Sequence, residues 1–380
     1  MAGTYDIGII GAGAAGLQLA MAIANDPWFN EKTILIVDKD KKDVNDKTWC
    51  YWEKGNGKWD HLIHKNWSAG KFITHQKDIH LELGAYTYKM LRSIDFYEYA
   101  RKSLESRKNF NWLQDDVIET MDQKPVAIRL TNSTVNAHHV FDSRIDPNYS
   151  LEDKNYIHVL QHFKGWRIQT NKDKFDPSWF TMMDYRPRLK STTSFMYVLP
   201  ISPNEALLEF TFFSPNLVQE EVYEEVMREY INSVLQIDKY SILSEEKGII
   251  PMTNYPFHSH SSNSITKIGT AGSWVKASSG YSFHNTGVKI DQLISNMKNG
   301  IRPDAGLIQK RFRIYDLLFL DILNQHNEKG EQLFTTMFSK NPVENIFEFL
   351  DETSSLHTDL KILSSFRPWP FIAAGLRQIF

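Results

Sequence analysis

The segment that most constrains this chain is its beginning. Tyr5 to Ile10 reads YDIGII, an apolar run of strand length that breaks into Gly11, Gly13 and Gly16 and continues as the helical LQLAMAIA. A second apolar run, Thr33 to Val37, ends on Asp38, 22 residues beyond Gly16. Strand, tight turn, helix and second strand closing on an acid make a βαβ unit of the dinucleotide-binding kind. Gly11 permits the turn, Gly13 lets the backbone approach a pyrophosphate, and Gly16 lets helix and strand pack closely. The first N–H groups of the helix then face the phosphates, so Gly11, Gly13, Ala14, Ala15 and Gly16 are expected at the nucleotide, with Asp38 and Lys39 at the ribose end.

Ile7 to Ala24 is nearly free of charge, but Met1 to Asp6 contains no Lys or Arg and the spaced glycines suit a turn, which argues against a signal peptide or a membrane span. No other uninterrupted apolar stretch approaches twenty residues, so membrane association is expected to be peripheral. A charged fraction of 23% over 380 residues allows a substantial core, and a net charge of -3 with both signs interspersed gives no footprint for nucleic acid. The single cysteine, Cys50, cannot form an internal disulfide, and the expected location is cytoplasmic. Aromatic residues reach 13%, and several stand beside polar motif residues, as at Trp49, Tyr51, Trp52, Tyr281 and Phe283; they read either as core or as a ligand wall.

Further along, His138 to Phe141 reads as a strand ending in Asp142, Ser143 and Arg144, and Thr193 to Leu199 with Ala206 to Phe213 reads as a hairpin across Pro200 to Asn204. Ile265 to Ile268 is a short strand followed by Gly269, Gly272 and Gly280. From Val288, Ile290, Leu293, Ile294 and Met297 recur at helical spacing until Gly300. Asn341 can cap a later helix whose first turn holds Pro342 and whose apolar face is Val343, Ile346, Phe347 and Leu350. The expected fold is α/β with an α+β insert: a Rossmann-like FAD-binding domain (1–75, 95–150 and 262–300), an inserted antiparallel sheet for substrate (76–94 and 151–261), and a helical C-terminal region (301–380). Two glycine units about 250 residues apart around a sheet domain match FAD proteins, in which the second unit brings another helix N-terminus to the flavin.

Eight segments, in order, resemble the lycopene beta-cyclase family over nearly the whole chain: GAGAAG at Gly11, DKTWCYW at Asp46, VFDSR at Val140, QHFKGW at Gln161, MDYR at Met183, LLEFT at Leu207, IPMT at Ile250 and GTAGSWVKASSGYSF at Gly269. The resemblance implies an FAD that acts in its reduced form and lycopene or a related acyclic carotenoid as substrate, met at a membrane surface; NAD(P)H is the expected electron source, with the physiological donor left open. Ring closure adds a proton to a terminal double bond, lets a neighbouring double bond attack the resulting cation, and releases a proton, so it needs an acid, a base and walls that exclude water.

Glu209 matches the family's essential carboxylate and interrupts an apolar strand; burial would raise its proton affinity, whereas the alternate strand face would leave it in water. Tyr51, Phe210 and Thr211 are the expected substrate contacts, with cation–π attraction of roughly 0.5–2 kcal/mol for each aromatic face. Trp49, Arg92, Gly269, Gly272 and Gly280 are the remaining cofactor candidates, Arg92 through the phosphates or else as an exposed helical arginine. The chain departs from the family pattern where a second acid would follow Glu209, which speaks against paired carboxylates at that position, and at Ala277 and Ser279, where Pro and Thr are common. His284, His138 and His139 lack partners at ligand spacing, and no metal is expected. The C-terminal FRPWPFIAAGLRQIF, with Trp369, Phe371, Ile372, Leu376, Ile379 and Phe380 beside Arg367 and Arg377, fits either a bilayer interface or core packing. A flavin monooxygenase, an isoprenoid reductase and a carotenoid carrier are the competing functions. Ring type, single or double cyclisation, the direction of proton transfer at Glu209 and the oligomeric state stay open.

Overall fold

The computed structural model describes residues 3–379. The chain opens with β1 (Thr4–Ile10), α1 (Ala14–Asn25) and β2 (Ile34–Asp38). β3 (Thr48–Lys54), β4 (Lys65–Trp67), β5 (Ala69–Ile73), β6 (Asp78–Glu82) and β7 (Tyr86–Arg92) lead into α2 (Ser93–Glu105). β8 (Phe110–Gln114), β9 (Val117–Met121), β10 (Val126–Leu130) and β11 (Thr134–Asp142) follow. Then come β12 (His158–Thr170), β13 (Phe180–Asp184), β14 (Thr193–Ser202), β15 (Glu205–Ser214), α3 (Glu220–Glu229) and β16 (Tyr240–Thr253). β17 (Ile265–Lys267) and α4 (Phe283–Lys298) precede the helices α5 (Lys310–Gln325), α6 (Gly330–Lys340), α7 (Val343–Leu350), α8 (Leu356–Ser365) and α9 (Pro368–Ile379).

The first sheet runs β8-β2-β1-β11-β10-β9, with β17 parallel to β11. β1 is parallel to both β2 and β11, the Rossmann-like arrangement expected from the opening residues. Every residue of β2 is buried because alternate side chains serve two cores. Ile34 and Ile36 pack with Leu17, Phe141 and Leu293 under the helices, while Leu35 and Val37 meet Ile128 and Val140 on the other face.

The second sheet runs β16-β12-β15-β14-β13-β5-β6 and is antiparallel except where β5 joins β13. Its two faces are both apolar for different reasons. Trp166, Met196, Leu208, Phe210 and Phe212 pack under α3 with Tyr223 and Met227, whereas Phe195, Leu199, Leu207 and Phe213 belong to the core shared with the C-terminal helices. A small third sheet, β3-β7-β4, bridges the two units: Trp49 and Tyr51 of β3 join the first core, and Trp52 joins the second, stacked on Phe347 at 4.3 Å.

Several details differ from the sequence reading. β5 lies within residues 1–75 yet pairs with β13, because its alternating pattern buries Phe72 in the second core. β7, inside 76–94, belongs to the bridging sheet. α4 begins at Phe283 rather than Val288. Asn341 does not cap α7: its amide donates back to the Met337 carbonyl at 2.9 Å and closes α6, and Pro342 takes the N-cap position. No helix among the described residues is long and apolar enough to cross a membrane.

Candidate active site

The three N-terminal glycines differ in their surroundings. Gly11 has φ +96°, a conformation side chains rarely adopt, and a methyl carbon there would fall 2.0 Å from Ser143 Oγ. One at Gly16 would fall 1.8 Å from the Gly11 carbonyl oxygen, so helix and turn touch backbone to backbone. At Gly13 it would meet nothing within 4 Å: this position opens onto a cavity of about 450 Å³. Gly13 is the N-cap of α1, and the helix has no side-chain cap and no acid in its first turn, which leaves the N–H groups of that turn for a ligand. Asp38 stands at the end of β2, where its Oδ2 accepts from the Ala12 N–H at 2.5 Å. Lys39 next to it is exposed and does not reach the cavity.

The second glycine loop forms the opposite wall. Gly269, at φ +60°, lies so near α1 that a methyl carbon on it would come within 3.0 Å of Ala15 Cβ. Gly272 packs on the Lys267 carbonyl, and Gly280, at φ +74°, sits against the side-chain amide of Gln161. The loop delivers α4, whose first turn also lacks an acid and a side-chain cap and also lines the cavity through Phe283 and Thr286. Gln18 of α1 donates to the Phe283 carbonyl at 3.1 Å and ties the two helix starts together. Ser279 Oγ and Gln161 Oε1 are buried on the cavity wall with no protein hydrogen-bond partner. Two uncapped helix N-termini, an open glycine and two orphaned polar atoms fit the phosphates and polar ring of a dinucleotide cofactor. Trp49 lines the same space, stacked on Phe283 at 5.0 Å.

Glu209 enters from the second sheet. The period of the strand places Leu207, Glu209 and Thr211 on the face toward the first unit, with Tyr197 of β14 directly opposite Glu209. Thr211 Oγ1 donates to Glu209 Oε1 at 2.8 Å. A second carboxylate, Glu246 of β16, lines the same cavity and accepts from Thr48 Oγ1 at 2.7 Å. Both carboxyls are held well above the usual carboxylate range. Burial is the main cause for each; the nearby charge of Glu246 adds to it for Glu209, and the threonine bonds oppose it. Tyr88, Tyr197, Leu199 and Tyr281 complete the apolar wall, and the Tyr88 and Tyr281 hydroxyls lie 3.2 Å apart.

Besides Lys39, three further expected contacts lie away from the cavity. Phe210 points to the α3 face, where it meets Phe212 at 4.9 Å, because neighbours on a strand face opposite ways and Glu209 takes the cavity side. Tyr51 is buried in the first core against Phe283 and His284 and is absent from the cavity wall. Arg92 forms a two-point ion pair with Asp95 in the first turn of α2 and does not line the cavity. Asp95 is three residues along the chain and within easy reach of the Arg92 guanidinium. Glu246 carries no local signal in the sequence, since the residues around it, SEEKG, read as an exposed polar edge.

Fold and site together define a two-unit α/β protein with a Rossmann-like dinucleotide cradle and an acid-bearing cavity between its sheets. Within that class the chain belongs to the lycopene cyclase family, whose sequence model, described as "Lycopene cyclase protein", matches residues 6–375. Among solved structures, a geranylgeranyl bacteriochlorophyll reductase-like protein from Thermoplasma acidophilum has a TM-score of 0.62 at 12% identity, over 97% of this chain and 98% of that one. The flavin-dependent brominase Bmp2 gives 0.59 at 12% identity, over 99% of each chain. The halogenase PltM, solved with phloroglucinol and FAD, gives 0.52 at 11% identity, over 90% of this chain and 79% of that one. At these identities the likeness is one of fold. No curated protein sequence matches the chain.

Proposed function

We propose that this chain is a lycopene beta-cyclase: it binds reduced FAD, reduced by NAD(P)H, and closes the acyclic ends of lycopene without net redox change. The observation that carries the reading is a protonatable Glu209 facing a cavity walled by Tyr88, Tyr197, Leu199 and Leu207, next to the double glycine cradle. Family membership supports a cyclase, and the cradle supports a dinucleotide.

Gly13, Ala14, Ala15 and Gly16 would hold the pyrophosphate of FAD, Asp38 its ribose, and Gly269, Ser279 and Gly280 the flavin end. When bound, the reduced cofactor supplies negative charge beside the developing cation. The residues of the chain do the rest. Burial keeps Glu209 protonated at neutral pH, so its carboxyl can hand a proton to the terminal double bond. The apolar wall keeps water from capturing the tertiary cation before the ring closes, and a carboxylate accepts the proton released afterwards.

A polyene substrate resides in a bilayer, and α9 offers a surface for reaching it. One face is packed, with Ala374 buried and Arg377 paired to Asp321, while the other presents Trp369, Ile372 and Leu376 to solvent at 77%, 48% and 52% exposure. We place the protein in the cytoplasm with this stripe on the membrane surface. Phe380 and the side chain of Ile379, also expected there, lie outside the described residues.

Anaerobic incubation of the protein with lycopene and dithionite-reduced FAD should yield a cyclic product, identified by chromatography; with NAD(P)H in place of dithionite, product should form without NAD(P)H consumption in proportion to turnover. Glu209→Gln should keep flavin binding and lose at least ~100-fold in rate, as expected for removal of a general acid. Stoichiometric NAD(P)H consumption would instead indicate a reductase or monooxygenase.

A further inference from the structure

Glu209 and Glu246 are on different strands and 37 residues apart in sequence, yet they share one register position. β12 runs between β15 and β16, and its Gly165 pairs with Glu209 on one side and Glu246 on the other. Residues level with one another on adjacent strands point to the same face, so both carboxyls stand on the cavity side of Gly165. Their backbones are two strand spacings apart, roughly 9.6 Å. A side chain between them would fill the gap, but Gly165 has none: a methyl carbon there would already be 3.1 Å from Glu246 Cγ and 3.4 Å from Leu207 Cδ1. The glycine therefore leaves open floor between the two acids.

The cavity that holds both acids is also lined by two cations, Lys47 and Lys247, and by the carboxylate of Asp46. Among the described residues neither carboxyl has an ion-pair partner. The groups that face them are the hydroxyls of Thr48 and Thr211, the phenols of Tyr88, Tyr197 and Tyr281, and the thiol of Cys50. Lys247, at the rim, is turned to Glu220. Lys164, the neighbour of Gly165, sits on the opposite face with Glu220, Glu224 and Glu245. Glu209 and Glu246 are each half-buried on one wall of the same cavity, so two negative charges there would repel, and a single shared proton removes the repulsion.

We propose that Glu209 and Glu246 form one proton-sharing pair across Gly165, and that this pair both delivers the proton that starts cyclisation and takes back the proton that ends it. The proposal rests on the cyclase reading of the same cavity. Its balance is closed: the protonated member adds H⁺ to the terminal carbon–carbon double bond, ring closure moves the cation into the ring, and loss of H⁺ from the adjacent carbon restores the double bond and the singly protonated pair. No oxidant, reductant or bulk proton is consumed.

The test is an infrared titration of carboxyl groups in the purified flavin-loaded protein, with Glu209→Gln plus Glu246→Gln as the baseline. The wild type should release two protons in separate steps, one of them held through neutral pH. Glu246→Gln should leave a single step, with the proton affinity of Glu209 reduced at least tenfold, and should move the alkaline limb of the cyclisation profile down by the same amount. Thr48→Val serves as a milder perturbation: in a coupled pair it shifts both steps, and for independent groups it shifts that of Glu246 alone. If Glu209 titrates at the same pH with and without Glu246, there is no pair. A wild type that shows the two steps but forms no cyclic product would overturn the cyclase reading and leave the pair standing.

Discussion

Thr211 donates its hydroxyl to Glu209 from two residues along the same strand, at 2.8 Å. The bond favours the charged carboxylate and so opposes the burial that favours the neutral acid. Thr211 is fully buried, and Val has nearly its shape. Thr211→Val should cost about 1 kcal/mol of stability and raise the pH at which Glu209 gives up its proton, moving the alkaline limb of the rate profile upward. An unmoved profile would show that the hydroxyl does not act on the ionised form.

The raised proton affinity of Glu209 also makes stability depend on pH. A carboxyl whose folded pKa lies above its unfolded value of 4.5 contributes fully below that value and progressively less as pH rises toward the folded one. Each pH unit in that window costs about 1.4 kcal/mol. Glu209→Gln, which stays neutral, should therefore melt close to the wild type at pH 5 and above it at pH 9. Calorimetry at the two values checks the sign; equal melting differences at both would mean that Glu209 has an ordinary affinity.

Gly13 and Gly16 separate cofactor binding from folding. Gly13→Val places its side chain in open cavity and should leave the melting temperature of the flavin-free protein unchanged while weakening FAD binding by at least ~10-fold, about 1.4 kcal/mol. Gly16→Ala drives a methyl group into the Gly11 carbonyl and should lower stability by roughly 1–3 kcal/mol even without flavin. Flavin fluorescence titration and thermal melts on the two variants distinguish these effects.

On α9, Trp369→Ser removes the most exposed aromatic ring of the apolar stripe without touching a packed residue. Co-sedimentation with phospholipid vesicles should fall several-fold, and activity on lycopene dissolved in detergent should not. Unchanged sedimentation would argue against this face as the membrane contact.

How far the sequence could be read depended on how local each signal was. β1, α1 and β2 follow from periodicity and three glycines within forty residues, and the second glycine loop is likewise contiguous. Glu209 could be picked out, but its neighbours could not be assigned to faces: Leu207, Leu208, Phe210 and Phe212 are apolar on both sides of β15, because one side meets the cavity core and the other meets α3. Tyr51 was misplaced for the same reason, since β3 also feeds two cores. Glu246 depends on the long-range register of three strands, which no local window contains. The one available hint was Gly165, a glycine inside a run of strand residues, where it marks a close approach.

The bond from Gln18 to the Phe283 carbonyl spans most of the polypeptide. During synthesis the leading βαβ unit emerges long before the segment that becomes its opposite wall, and for that interval its phosphate loop has only one side. On the proposed reading of that cradle, flavin capture would come late in the life of the nascent chain, after residues near Phe283 have left the ribosome, and a product interrupted before Gly269 would carry the dinucleotide signature without its opposite wall.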